Sequence, residues 1–262
     1  MITEVAPSHW RDLQQWVARV LKECGFSVEI EKKVKTARGT VEIDVYAEEV
    51  VNGRRYIAAV ECKNWRARVP QAVIHGFRTV VTDIGANLGY IVSAAGFQSG
   101  AFMAAELTNL RLLDWQAFQS EFERSWYEAY LLPTVADQLD ALLTYTEPLL
   151  PRWFHDLPDK NKEEYIELKR KYDEFGWTMM MFTPYSHLLH RGRDPRVELP
   201  LRSRLEGKCD NLDQWPKAVT DSLGYREFLD ASISFGRDIV EQFRRYRPPN
   251  IAVDEVDLPR KA

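Results

Sequence analysis

Apolar residues at Leu13, Trp16, Val17, Val20 and Leu21 recur at helical spacing, so the stretch from Trp10 to Cys24 reads as an amphipathic helix stopped by Gly25. Phe26 to Ile30 alternates and reads as a short strand. Two longer alternating segments follow, Gly39 to Tyr46 and Tyr56 to Lys63. Asn52-Gly53 between them marks a hairpin, because a type I′ turn needs positive φ at both central residues. Pro70 opens a second helix with its apolar stripe at Val73, Phe77, Val80 and Val81, and Gly85-Ala86-Asn87 ends it. Leu88 to Ala94 is a short apolar run that reads as a buried strand, Gly96 to Gly100 turns the chain, Ala101 to Leu107 reads as helix, and Leu110 to Leu113 as a last short strand. This order predicts an α/β domain with three layers, α/β/α, around a mixed sheet: the hairpin strands pair antiparallel and the helical crossovers favour parallel pairing. After about Glu123 the chain becomes helical, aromatic and more charged, with helices expected over Val135 to Thr146, Lys160 to Phe175 and Arg226 to Arg245. The expected organisation is a domain over 1–123, a helical domain over 124–247 and a weakly ordered tail over 248–262.

Charge changes the picture at the hairpin. Successive side chains of a strand point to opposite faces. Glu42 and Asp44 are therefore expected on one face, with Val41, Ile43 and Val45 on the other; Glu61 and Lys63 likewise share a face opposite Ala58, Val60 and Cys62. Folding the hairpin brings Asp44, Glu61 and Lys63 together, with Glu42 as a further acid. Burying such charges is costly unless they are paired or bind a metal. Two readings stand: a solvent-facing sheet edge laced with salt bridges, or a hard-cation site. Mg²⁺ takes one or two carboxylates and keeps several waters. Such an ion polarises a phosphoryl oxygen and lowers the pKa of bound water, and Lys63 stands where an ammonium would orient that water or stabilise developing negative charge.

Composition narrows the function classes. The chain has 262 residues, which suits one or two domains with a sizeable core, and no apolar run approaches the roughly 20 residues of a membrane span. Met1 to Trp10 lacks the basic-then-apolar pattern of a signal peptide. Cys24, Cys62 and Cys209 are odd in number and widely spaced; they form no zinc pattern and fit reduced thiols in a cytoplasmic protein. The net charge of −4 gives no bulk attraction to nucleic acid. Residues 1–125 hold 15 basic and 15 acidic side chains and the remainder 20 and 24, so a DNA-binding surface has to be a local patch. The candidates are Lys32, Lys33, Lys35 and Arg38, or Arg66 and Arg68, each equally readable as a solvated face. Trp65, beside Lys63 and these arginines, is a candidate for lining a substrate groove, although tryptophans are core residues by default. His187 and His190, with Arg191 and Arg193, lack a third ligand nearby and fit a polar loop better than a metal pair. His75 reads as a surface or packed histidine. No G-x-G-x-x-G fingerprint or Walker lysine is present, so no nucleotide cofactor is expected.

The pattern Glu42-Ile43-Asp44 … Val60-Glu61-Cys62-Lys63-Asn64-Trp65 resembles the Mrr-type restriction endonuclease family, within the PD-(D/E)xK nuclease superfamily. The helix ending in Cys24-Gly25-Phe26, the stretch from Asp83 to Val92, the Gly96-Phe97 turn, Ala104-Ala105 and Leu112-Leu113 are similar to that family's elements in the same order, over about residues 8–120. The resemblance implies a restriction-endonuclease-like fold in which Asp44 and Glu61 ligate Mg²⁺ or Mn²⁺ and Lys63 positions the attacking water. Where the family often carries a first-helix glutamate that assists the metal site, this chain has Gln14, which puts a second metal ion in doubt; Glu42 is a candidate to compensate. Gln71, opening the helix after the catalytic strand, is a candidate for touching the scissile phosphate, though an exposed first-turn polar residue explains it as well. The implied function is a metal-dependent endonuclease acting on DNA in prokaryotic defence, as a homodimer or a subunit of a defence complex. Two alternatives remain at this level: a catalytically idle nuclease fold serving as DNA-binding scaffold, and a branched-DNA resolvase.

Overall fold

The computed structural model describes residues 1–186, Leu188, Asp194 and 196–248. The expected His187–His190 pair, its arginines, and all of the expected tail but Pro248 lie outside these residues. The chain divides into two compact units, Met1–Tyr130 and Leu131–Ala262.

The first unit carries helix α1 (Trp10–Glu23), strands β1 (Ser27–Thr36), β2 (Gly39–Val51) and β3 (Arg54–Lys63), helix α2 (Gln71–Asp83), strand β4 (Leu88–Ser93), helix α3 (Ser99–Ala105), strand β5 (Leu110–Leu113) and helix α4 (Trp115–Trp126). The five strands form one sheet in sequence order, antiparallel from β1 to β3 and parallel from β3 to β5. This is the mixed sheet that the alternation and the crossovers predict. The β2–β3 turn has φ of 50° at Asn52 and 77° at Gly53, as a type I′ turn requires. Both sheet edges are blunted: β1 is lysine-rich and largely exposed, and β5 is four residues long.

Alternate residues of the central strands feed two cores. Tyr46, Ala59 and Ile91 pack with Ile74, Phe77 and Ala101 of α2 and α3. On the opposite face Tyr90 meets Phe118 and Phe122 of α4, with ring centroids 6.4 and 5.4 Å away, and α1 lies beside α4 over β1–β3. Helix α4, which no expected element covers, runs across the expected boundary at residue 123. Its apolar residues Phe118, Phe122 and Trp126 lie four apart, and Asp114 caps it by accepting from Ala117 N at 2.8 Å. Those signals were present in the sequence.

The second unit consists mainly of helices: α5 (Leu132–Gln138), α6 (Asp140–Thr146), α7 (Asp159–Met180), α8 (Leu201–Leu205), α9 (Lys217–Thr220) and α10 (Tyr225–Arg244). The single helix expected over 135–146 is broken at Leu139, whose φ and ψ of −113° and 12° leave the helical region. Aromatic contacts join α7 to α10: Tyr165 lies 5.3 Å from Phe243 and Phe175 4.9 Å from Phe235. Lys169, buried on α7, donates to the carbonyls of Tyr145 and Glu147 at the end of α6, where helix carbonyls lack partners.

In the first unit α2 reaches β4 only because position 89 has no side chain. A Cβ there would stand 2.5 Å from Leu110 Cδ2 and 2.6 Å from Val81 Cγ2. Gly89→Ala is expected to destabilise the protein by about 1–3 kcal/mol through overpacking, read as a lower urea midpoint at unchanged slope.

Candidate active site

The central feature is a notch where β2 and β3 part. Their ladder ends at the Val45–Val60 pair, so Asp44 and Glu61, next in register, lie just past its end. Residues directly opposite in an antiparallel pair point to the same face. Beyond this point β3 is still held by β4, through the Glu61–Ile91, Cys62–Val92 and Lys63–Ser93 pairs. The Cys62 amide, left without a strand partner on the β2 side, donates instead to Asp44 Oδ2 at 2.7 Å. Strand β1 skips its pair with Asp44 too: Glu31 has φ of 54° and makes no ladder pair. The Asp44 carbonyl accepts from Gln14 Nε2 of α1 at 3.0 Å. Gln14 is buried, so the first-helix position lies against the Asp44 backbone as a neutral amide.

Glu61 and Lys63, on one face of β3, are joined in an ion pair between Glu61 Oε1 and Lys63 Nζ. Both side chains are mostly covered, 22% and 18% exposed. Burial, and after it the nearby Asp44 charge, push the Glu61 carboxyl above its ordinary 4.5, against the opposing pull of Lys63. Burial, reinforced by Asp44 and Glu61, holds the Cys62 thiol far above 9.0, so Cys62 is a packed thiol and no nucleophile. Lys63 Nζ also lies 5.2 Å from the centroid of the Trp65 ring, which is 44% exposed.

The remaining candidates fall elsewhere. Glu42 is exposed and pairs with Lys33 at 3.8 Å across the β1–β2 ladder. The strict alternation that would put it beside Asp44 breaks locally, since Ile43 and Tyr46, three apart, share one core. Gln71 is exposed in the first turn of α2, with Nε2 3.0 Å from His75 Nε2; the partnership joins His75 to the candidates, and their i, i+4 spacing was its only sequence signal. Lys32 is bound to Glu29 at 2.6 Å and sits over the Tyr46 ring; Arg38 pairs with Asp83 at 3.5 Å. Lys35, Arg66 and Arg68 are exposed.

Residues 6–122 match the family model Mrr_cat, restriction endonuclease. Over nearly its whole length the N-terminal unit matches the Mrr-type restriction endonuclease family. No curated protein matches the chain. The crystal structure of AF1548, a protein of unknown function, aligns over 62% of this chain and 96% of its own at 22% identity, with a TM-score of 0.36, too loose a likeness to bear on fold or function.

The Mrr-type domain fits a hard cation through its donor set. Among the described residues no group of three or more His, Cys, Asp or Glu converges. Two facing carboxylates with mutual repulsion do, which is the complement Mg²⁺ takes when waters and substrate oxygens complete its sphere.

A carboxyl raised by burial favours the folded state most when protonated. Its stability contribution is fully present below the unfolded value near 4.5 and is lost as pH rises through the raised value. The urea midpoint is to be measured in EDTA across that interval, and the difference between wild type and Glu61→Gln is expected to shift against wild type as pH rises.

Proposed function

We propose that this Mrr-type domain hydrolyses DNA phosphodiester bonds with Mg²⁺ or Mn²⁺, in prokaryotic defence against foreign or modified DNA within the cytoplasm. The observation that carries this reading is the β2–β3 notch, which gathers Asp44, Glu61 and Lys63 inside a restriction-endonuclease-type domain. Asp44 and Glu61 would hold the cation. When bound there, it supplies Lewis-acid polarisation of the phosphoryl group. Lys63 would contribute a positive charge beside it to offset the negative charge the phosphate gains, and partial burial strengthens that interaction relative to water. The Cys62 amide fixes the Asp44 carboxylate, and Gln14 fixes the Asp44 backbone.

Substrate contact falls on the exposed basic residues that follow Lys63 in the chain. Arg66 and Arg68 follow the catalytic strand directly, while Lys32, Lys33 and Arg38 already have acidic partners. Phosphate contacts of this kind position the duplex and carry no sequence information. Gln71 and His75 offer a further polar pair at the start of α2. A cut on both strands needs two such domains, which suits a homodimer or a larger defence complex.

Incubation of the purified chain with plasmid and methylated phage DNA tests the reading. Cleavage is expected with Mg²⁺ or Mn²⁺ and not with EDTA, and Asp44→Ala and Lys63→Ala are each expected to slow it by about 10²–10³-fold. Cutting that persists in EDTA, or in both variants, would sink the assignment.

A further inference from the structure

One carboxylate has two claims on it. Glu61 is the acceptor that holds Lys63 and also one of the two carboxylates the proposed function gives to a cation. An ammonium and a divalent cation cannot share the same Glu61 oxygen, because like charges at that distance repel strongly. Lys63 therefore has to leave Glu61 Oε1 when a cation takes that oxygen, alone or together with Oε2. Its side chain is only 18% exposed, so solvent offers it little room as a destination. The group already poised beside it is the Trp65 indole, 5.2 Å from Nζ, within the range at which an aromatic face attracts an ammonium. Trp65 is itself 44% exposed, so part of its indole is open to solvent.

We propose that Trp65 is a positioning residue for Lys63, and that its ring is the seat to which the ammonium withdraws when Glu61 ligates a cation. The inference rests on the reading of Asp44 and Glu61 as cation ligands. Lys63 thereby has two positions: paired with Glu61, it neutralises the buried carboxylate of the resting site; on Trp65, it stays within reach of the notch with its charge unspent. The arrangement makes Lys63 a competitor for cation binding and Trp65 the residue that weakens the competition.

Calorimetric titration of the full chain with Ca²⁺ and with Mn²⁺, without DNA, tests this. Lys63→Met is expected to tighten binding. Trp65→Leu is expected to weaken it about three- to tenfold, and Trp65→Phe, which keeps an aromatic face, to recover most of the loss. In the Lys63→Met background Trp65→Leu is expected to change nothing. Unaltered affinity in Trp65→Leu, or an equal loss with and without Lys63, overturns the inference. Glu61→Gln, titrated alongside, separates the two levels: it should abolish binding. Binding that survives Glu61→Gln, or none in wild type, overturns the cation site itself, and the role of Trp65 with it.

Discussion

A single hydrogen bond, from the Cys62 amide to Asp44 Oδ2 at 2.7 Å, shows how the candidate site is built. In an uninterrupted hairpin that amide would face the backbone of β2. Here β2 and β3 separate one residue earlier, after Val45 and Val60, and a carboxylate fills the gap. A buried backbone donor needs a partner, so the parting of the strands and the placement of Asp44 are one event. Everything chemical in the domain follows from that notch: two carboxylates just beyond the end of a ladder, an ammonium drawn to one of them, and an amide holding the other.

The surrounding fold keeps the notch open. On one side β4 continues to pair with β3 through Lys63, so the strand bearing Glu61 and Lys63 cannot swing to close against β2. On the other, α1 sends Gln14 to the Asp44 carbonyl where β1 omits its pair. Helices cover both faces of the sheet, and the close approach of α2 at Gly89 anchors one of them. The result is a preorganised cluster whose charges partly cancel within it. The second unit is a helical assembly with its own aromatic core, and none of the candidate residues within the described part of the chain belongs to it.

Much of the N-terminal architecture was legible because its signals are local. Period-two alternation, the Asn52-Gly53 turn and the Pro70 helix start each involve residues within a few positions of one another. The same local logic failed where neighbours in space overrule neighbours in sequence. Strict alternation put Glu42 with Asp44, but the break at Glu31 lets Ile43 and Tyr46 share a core while Glu42 turns to Lys33. The basic patch at Lys32, Lys33 and Arg38 has Glu29, Glu42 and Asp83 as ion-pair partners, which its sequence spacing alone does not reveal. In the helical unit the two long helices, expected over 160–175 and 226–245, were legible, whereas the break at Leu139 went unsignalled.

By itself, then, the sequence determined the order of strands and helices in the first unit and that Asp44, Glu61 and Lys63 lie on facing strands, because side-chain direction in a strand alternates with sequence position alone. Only the tertiary structure decided that the ladder stops one pair short of the carboxylates, that Gln14 from 30 residues away secures Asp44, and that Lys63 is divided between Glu61 and Trp65. Those outcomes depend on which backbone groups lose their partners when strands diverge, and on what is near enough to replace them. Both are properties of distances across the fold, which no local periodicity encodes.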